Sequence, residues 1–280
     1  MKLAFSTNAF KKYSLEEAIK VIAGLGYDGV EILADVPHAY PPLEESQIKS
    51  IKDTISNCKT EISNINSFTL YAITDVYHPS WIENDEALRE LRIQHTIRCI
   101  ELAKKIGAKS ISTEPGGPVP VGRNNSDWDY LKELFVKGLN RVAAIAEKME
   151  VEVLVEPEPN LLLENSTQFL DVIKDIKSQQ VKLNFDIGHF YCVDEDPAEI
   201  INKLSDCIGH FHLADIAIDR VHNHLIPGLG SIDFKSVFEA INEIGYKEFV
   251  TIELYPYQDN PVYAAESAFK YVKGILNKLD

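Results

Sequence analysis

The chain has 280 residues, 45% of them hydrophobic and 25% charged, with a formal net charge of −15 and a pI of about 5.0. That length exceeds a single sandwich and suits one α/β barrel, with enough apolar content for a sizeable core. The acidic balance argues against nucleic acid and anionic membrane surfaces, because both are bound mainly through Lys and Arg neutralising phosphates, and the sequence holds no Lys/Arg cluster.

A short apolar strand over 3–6 opens the chain. Ser14-Leu15-Glu16-Glu17 then has the S-x-x-E pattern of a capping box, and Leu15, Ala18, Ile19, Ile22 and Leu25 recur behind it at helical spacing. Gly24 and Gly26 end that helix, and a second strand, Gly29-Val30-Glu31-Ile32, follows. The same strand–helix–Gly–strand unit repeats. A helix over 43–57 leads to a strand over 61–66, then to a long loop over 68–84 rich in Tyr, His, Pro and Trp. A helix over 85–106 stops at Gly107, a strand covers 110–113, and a Pro/Gly loop runs over 114–125. Next come a helix over 127–149, a strand over 151–156, a Pro-rich elbow, a helix near 167–176 and a strand over 181–186. Asp196-Pro197-Ala198-Glu199 sets a cap, a Pro at the first helical position and a capping acid in order, and that helix ends near Leu204. A strand over 208–213, a Pro-Gly loop to Asp233, a helix over 234–244, a strand over 249–254 and a last helix from Pro261 complete the chain.

Eight buried strands alternating with eight helices, without a composition break, predict a parallel sheet closed into a single (β/α)8 barrel, one domain spanning 1–280. An open doubly wound sheet is the runner-up. It lacks a G-x-G-x-x-G after the first strand, where Ser6-Thr7-Asn8-Ala9-Phe10 stands instead.

Active sites of such barrels lie at the C-terminal strand ends. Strand five ends in Glu156, strand six in Asp186, strand seven in His212 and strand eight in Glu253, while strands three and four end near Asn66 and Glu114. A lone acid at such a place is more often ion-paired or hydrogen-bonded than a ligand. Here, however, no Lys or Arg occupies a matching strand end. Three converging carboxylates cannot all stay ionised without a cation, so the four residues are read as ligands of one divalent metal. Mixed carboxylate–imidazole sites suit Mn²⁺, Co²⁺, Mg²⁺, Zn²⁺ or Fe²⁺, and the ligand set does not choose among them. His210 shares a face with His212 one layer deeper, where a hydrogen-bonded core histidine is expected.

His222-Asn223-His224, above strand seven, is expected to contact substrate or to hold a second metal, the alternative being a solvated loop. Glu158, held between Pro157 and Pro159, has a supporting or substrate role, and Asn66 is a substrate candidate. His95 is read as surface or packing, and His38 and Trp81 as loop residues able to roof the mouth. Cys58, Cys99, Cys192 and Cys207 form no C-x-x-C pair and read as reduced thiols of a cytoplasmic protein. The N-terminus shows no long apolar stretch, so no signal peptide is expected, and no run approaches the roughly 20 apolar residues that span a bilayer.

These residues resemble the xylose-isomerase-like TIM-barrel superfamily of sugar isomerases and epimerases over nearly the whole chain. The likeness rests on Val155-Glu156-Pro157, Asp186-Ile187-Gly188-His189, Phe211-His212-Leu213-Ala214-Asp215, Pro227-Gly228-Leu229-Gly230-Ser231-Ile232-Asp233-Phe234 and Thr251-Ile252-Glu253. It implies that Glu156, Asp186, His212 and Glu253 hold the metal and that His189 contacts substrate. It also implies that Glu156 and Glu253 move the proton beside a carbonyl through a metal-stabilised enediolate. The expected activity is isomerisation or epimerisation of a sugar, ketose or polyol-derived carbonyl compound, with dehydration of a keto-sugar or inosose as the alternative. A metallohydrolase resembling the apurinic-site endonucleases, or a sugar-binding barrel without chemistry, ranks lower. Leu162 stands where the ketose 3-epimerases carry a second glutamate, and Ile218 where they carry an arginine. Metal identity, the exact sugar and homo-oligomer formation are left open.

Overall fold

The computed structural model describes residues 1–119 and 125–279. The end of the 114–125 loop, in which pocket chemistry is expected, therefore lies partly outside the described residues. The first half of the barrel is β1 (Lys2–Ser6), α1 (Leu15–Gly24), β2 (Gly29–Leu33), α2 (Glu45–Cys58), β3 (Glu61–Asn66), α3 (Glu86–Ile106), β4 (Ser110–Thr113) and α4 (Asn125–Met149). The second half is β5 (Glu152–Val155), α5 (Ser166–Ile173), β6 (Val181–Asp186), α6 (Ile187–Cys192), α7 (Pro197–Leu204), β7 (Ile208–Leu213), α8 (Phe234–Glu243), β8 (Phe249–Ile252) and α9 (Pro261–Leu276). Every neighbouring pair is parallel, and β1 pairs with both β2 and β8, so the sheet closes in sequence order into a single (β/α)8 barrel.

Local chemistry sets most boundaries. Ser14 and Glu17 form the expected capping box of α1. Asp196 caps α7 with Pro197 in its first turn. Gly107 (φ 88°) ends α3 in the left-handed region that costs other residues most. The helices bury apolar stripes on Val153, Phe185, Phe211, Val250 and their neighbours, forming one continuous core outside the barrel wall. No described helix is long and apolar enough to cross a membrane.

Three expectations are corrected. The strands expected over 151–156 and 249–254 end at Val155 and Ile252, so Glu156 and Glu253 stand one residue beyond. Each still donates its amide to the preceding strand, Glu156 to the Thr113 carbonyl and Glu253 to that of Leu213, which keeps both at barrel height. There is also an additional short helix, α6, because Asp186 caps it by accepting the His189 amide. Finally, neither His38 nor Trp81 roofs the mouth. Trp81 is buried against Phe135 with its indole donating to Thr113 Oγ1, and His38 bonds the Thr7 hydroxyl and the Phe10 and Tyr13 carbonyls.

Nor is Glu114 without a cation. Arg92, from α3, lies 3.7 Å from it, and both side chains are fully buried. Burial pushes the Glu114 carboxyl up to about 7 against the opposing pull of Arg92. The guanidinium also donates to the carbonyls of Ser67, Phe68 and Pro79, fastening both ends of the 67–79 loop onto α3. Removing one partner of a buried pair is costly because the other is left uncompensated. Arg92→Leu should therefore lose about 3–5 kcal/mol of stability in equilibrium denaturant unfolding. A loss below about 1 kcal/mol would show that the loop is held by something else.

Candidate active site

The inward faces of the strands carry polar residues that bond one another across the barrel. In the deepest layer His210 Nε2 lies 2.9 Å from Thr251 Oγ1, which is itself 3.1 Å from Ser63 Oγ. This is the hydrogen-bonded core histidine expected from strand alternation. One layer up, β7 places His212 between two acids, with Nε2 2.7 Å from Glu31 Oε2 and Nδ1 2.8 Å from Glu156 Oε1. Glu31, on β2, also accepts from the Nδ2 groups of Asn64 and Asn66.

The four residues predicted as ligands are brought together. Glu156, Asp186, His212 and Glu253 are all buried and offer one atom each within 4.8 Å of one another. Asp186 Oδ1 is spent on capping α6, whereas Oδ2 is buried with no hydrogen-bond partner. Glu253 Oε1 accepts from the side-chain amides of both Asn8 (2.8 Å) and Asn66 (3.0 Å), leaving Oε2 aimed at His212 Nδ1, 3.7 Å away. Burial, with Glu156, Glu31 and Asp186 nearby, pushes the Glu253 carboxyl up to about 8 although His212 opposes it. His212 shows the converse: burial alone would lower its pKa, and Glu156, Glu31 and Glu253 together raise it well above the usual imidazole value. Both directions report excess negative charge around one point.

This donor set fits a divalent cation. Three carboxylates and one imidazole nitrogen suit a borderline or hard ion, and Asp186 Oδ2 is a buried acceptor without a hydrogen bond, its nearest cationic neighbour being His189 Nε2 at 3.9 Å. Both nitrogens of His212 face carboxylates that can only accept; with an ion bound, Nε2 would keep its proton for Glu31 and Nδ1 would be the nitrogen given to the ion. A carboxylate on the far nitrogen of an imidazole is the usual outer support of a metal-binding histidine.

Above the cluster lies a second tier. His189 Nδ1 donates to the Pro157 carbonyl (2.9 Å) and His224 Nδ1 to the Glu253 carbonyl (2.9 Å), so each ring is locked by backbone. Their Nε2 atoms are 3.4 Å apart, and His222 Nε2 is 3.3 Å from that of His224. Burial lowers His222 to about 2 and His224 to about 4, whereas on His189 the acids Asp186, Glu158 and Glu156 overcome burial and raise it. Glu158 accepts from the Tyr77 hydroxyl at 2.8 Å, and burial pushes its carboxyl up to about 7 against the opposing pull of His189.

A cavity of about 210 Å³ opens over these groups. Asn66, Glu156, Glu158, His189, His222 and Glu253 all line it. Asp186 and His212 sit beneath its floor, and His224 lies behind its wall at 1% exposure, where its Nε2 meets those of His189 and His222. Sequence reasoning missed Glu31, Asn8, Lys11 and the aromatic wall of Phe68, Tyr71, Tyr77 and Tyr255. Glu31 carried the signal that singled out Asp186, an acid in a buried apolar strand. The others reach the mouth through loop geometry that periodicity does not encode.

Two backbone close approaches hold the second tier in place. A Cβ on Gly188 would come within 3.1 Å of Asp186 Oδ1, and one on Gly230 within 2.3 Å of Asp215 Oδ1. Asp215 in turn accepts the amides of Ile216, Gly228, Gly230 and Ile232, folding the loop after β7 so that His222 and His224 hang over the cluster.

Residues 19–274 match the family model described as xylose isomerase-like TIM barrel. Fructoselysine 3-epimerase of Shigella flexneri is 25% identical over 99% of this chain and 98% of its own. Inosose dehydratase of Clostridium beijerinckii is 24% identical over 94% of this chain and 90% of its own. The crystal structure of the IolI protein with a bound zinc atom superposes with a TM-score of 0.81 at 20% identity, covering 99% of each chain. Sugar epimerases and inosose dehydratases are thus among its relatives, and the chain belongs to the xylose isomerase-like TIM barrel family.

Proposed function

We propose that this barrel, acting as one domain, is a divalent-metal-dependent isomerase or epimerase that moves a proton beside the carbonyl of a sugar, ketose or polyol-derived substrate. The observation that carries the reading is the pair Glu156 and Glu253. Two carboxylates from strand ends β5 and β8 line one cavity, and both belong to a cation-seeking set with Asp186 and His212. Glu156, Asp186, His212 and Glu253 would hold the ion, which when bound supplies Lewis-acid polarisation of the substrate carbonyl.

The remaining work belongs to the side chains. Asn8 and Asn66 fix Glu253 through Oε1, so Oε2 is the base that takes the proton from the carbon next to the carbonyl. Glu156, entering as the carboxylic acid, delivers a proton in exchange, so that Glu253 ends protonated and Glu156 ionised. Delivery to the opposite face of the same carbon is epimerisation, and delivery to the neighbouring carbon, with the hydroxyl proton passing between the two oxygens, is isomerisation. His189 is aimed by the Pro157 carbonyl and presents Nε2 as a donor to a substrate oxygen. Phe68, Tyr71, Tyr77 and Tyr255 wall the cavity and exclude water from the exchanging proton. A second reading, dehydration, is favoured by the inosose dehydratase relatives and by the same His189, which could protonate a departing β-hydroxyl. His189, His222 and His224 also bring three Nε2 atoms together in a manner able to hold a second ion.

Glu253→Gln keeps Oε1 as acceptor of the two asparagine amides but replaces the Oε2 base with an amide group, while Glu156, Asp186 and His212 remain to hold the ion. Metal content measured by elemental analysis should be retained, while exchange of the substrate α-proton with deuterium falls by about 10²- to 10⁴-fold. Full exchange in this variant would remove Glu253 from the proton path. Glu31→Gln weakens the support behind His212. The dissociation constant for Mn²⁺ should rise by about 10- to 100-fold in a competition titration, and an unchanged constant would mean that Nδ1 does not depend on its far-side carboxylate.

A further inference from the structure

The cavity wall contains one lysine. Lys11 follows the single 3₁₀ turn Thr7–Phe10 after β1, and its Nζ lies 4.7 Å from the centroid of the Tyr71 ring. Its neighbour Lys12 is paired with Asp259 at 2.5 Å, yet no ion pair among the described residues includes Lys11. The acids whose charge reaches it, Asp35 and Glu253, are committed elsewhere. Asp35 accepts from the Thr69 hydroxyl and the amides of Val36, Tyr71 and Ala72, and Glu253 accepts from Asn8 and Asn66. Burial lowers the Lys11 pKa, so its ammonium gives up hydration without gaining an anion in return. In a chain of net charge −15, an unpaired, partly buried cation facing a ligand cavity is a group in want of a partner.

We infer that the substrate is an anionic sugar derivative. Its carbonyl end meets Glu156 and Glu253, and a carboxylate at its far end is received by Lys11 beside Tyr71. This rests on the sugar-carbonyl reading of the site and names the substrate class within it. A carboxylate suits the place better than a phosphate. A single ammonium matches a single negative charge, whereas phosphate sites recruit several backbone amides, and the nearby Tyr71 and Ala72 amides are already spent on Asp35. Charge sign also separates the two ends of the ligand. The acid cluster would repel a carboxylate placed at the floor, so only one orientation brings the carbonyl to the bases.

The test uses the full chain loaded with Mn²⁺ and three ligands that differ only at the far primary carbon: D-fructose, D-fructuronate and D-fructose 6-phosphate. Binding is measured by calorimetry. The carboxylate should bind tighter than the neutral ketose by about 10- to 100-fold, the usual range for a charge-assisted hydrogen bond. That ratio should fall to near one in Lys11→Met and persist in Lys11→Arg. Equal affinity of the acid and the neutral sugar, or a ratio unchanged in Lys11→Met, overturns the inference and leaves the sugar-carbonyl reading intact. Tightest binding of the phosphate ester overturns the choice of carboxylate. Failure of all three ligands to bind metal-loaded protein overturns the sugar reading and this inference with it.

Discussion

The interaction on which the site depends is the clamp of His212 between Glu31 and Glu156. It spans the barrel from β2 to β5 through β7, so three strands that are not all neighbours are tied at one height. The tie is electrostatic, and it is unbalanced. Two acids share one imidazole, Glu253 lies 3.7 Å from the same ring, and Asp186 contributes a buried oxygen with no hydrogen-bond partner. Protonating His212 on both nitrogens relieves part of this. A divalent ion held by Glu156, Asp186, His212 and Glu253 would relieve more, since it would supply two positive charges where the imidazolium supplies one.

The polar barrel interior follows from that choice. TIM barrels commonly fill this space with branched apolar side chains. Here Ser63, Asn64, Asn66, Ser110, Ser112, Asn184, His210 and Thr251 are all buried along the strands. Each such group would carry a desolvation cost if left single, and the network answers most of it, Asn184 Oδ1 being left without a hydrogen-bond partner. Asn64 donates to both Glu31 and Ser112, Ser110 donates to Asn64, and Asn184 meets His212. A rigid polar scaffold results, in which the ligand-type residues have few other rotamers open to them. Pre-organisation of this sort lets a loaded site act without rearranging its own charges.

Much of this was legible in the sequence. The strand–helix alternation defines a closed barrel because only parallel strands need crossover helices, and the ligand set follows because acids at the ends of buried strands stand out against apolar runs. His210 was legible from the two-residue period alone. What was not legible depended on distant contacts. Glu31 acquires its role from a histidine 181 positions away. Arg92 lies in a long helix whose pattern does not tell that it turns inward to Glu114 and the 67–79 loop. The short helix α6 contains too few residues for periodicity and exists because the side chain that seeks the ion also caps it.

That double duty of Asp186 bears on how the two tiers are coupled. One oxygen holds the amide of His189 and the other faces the cluster, so the angle of α6, and with it the direction of the His189 ring, is referenced to the same carboxylate that the ion would occupy. The Pro157 carbonyl, one residue after Glu156, supplies the second fixed point by accepting from His189 Nδ1. The His189 ring, the proposed substrate donor, is thus positioned by the two strand ends, β5 and β6, that carry Glu156 and Asp186. A shift of either strand end moves donor and cluster together, which preserves their relative geometry. On such a frame, loop changes around the mouth would alter which ligand fits the cavity while leaving the buried cluster beneath it in place.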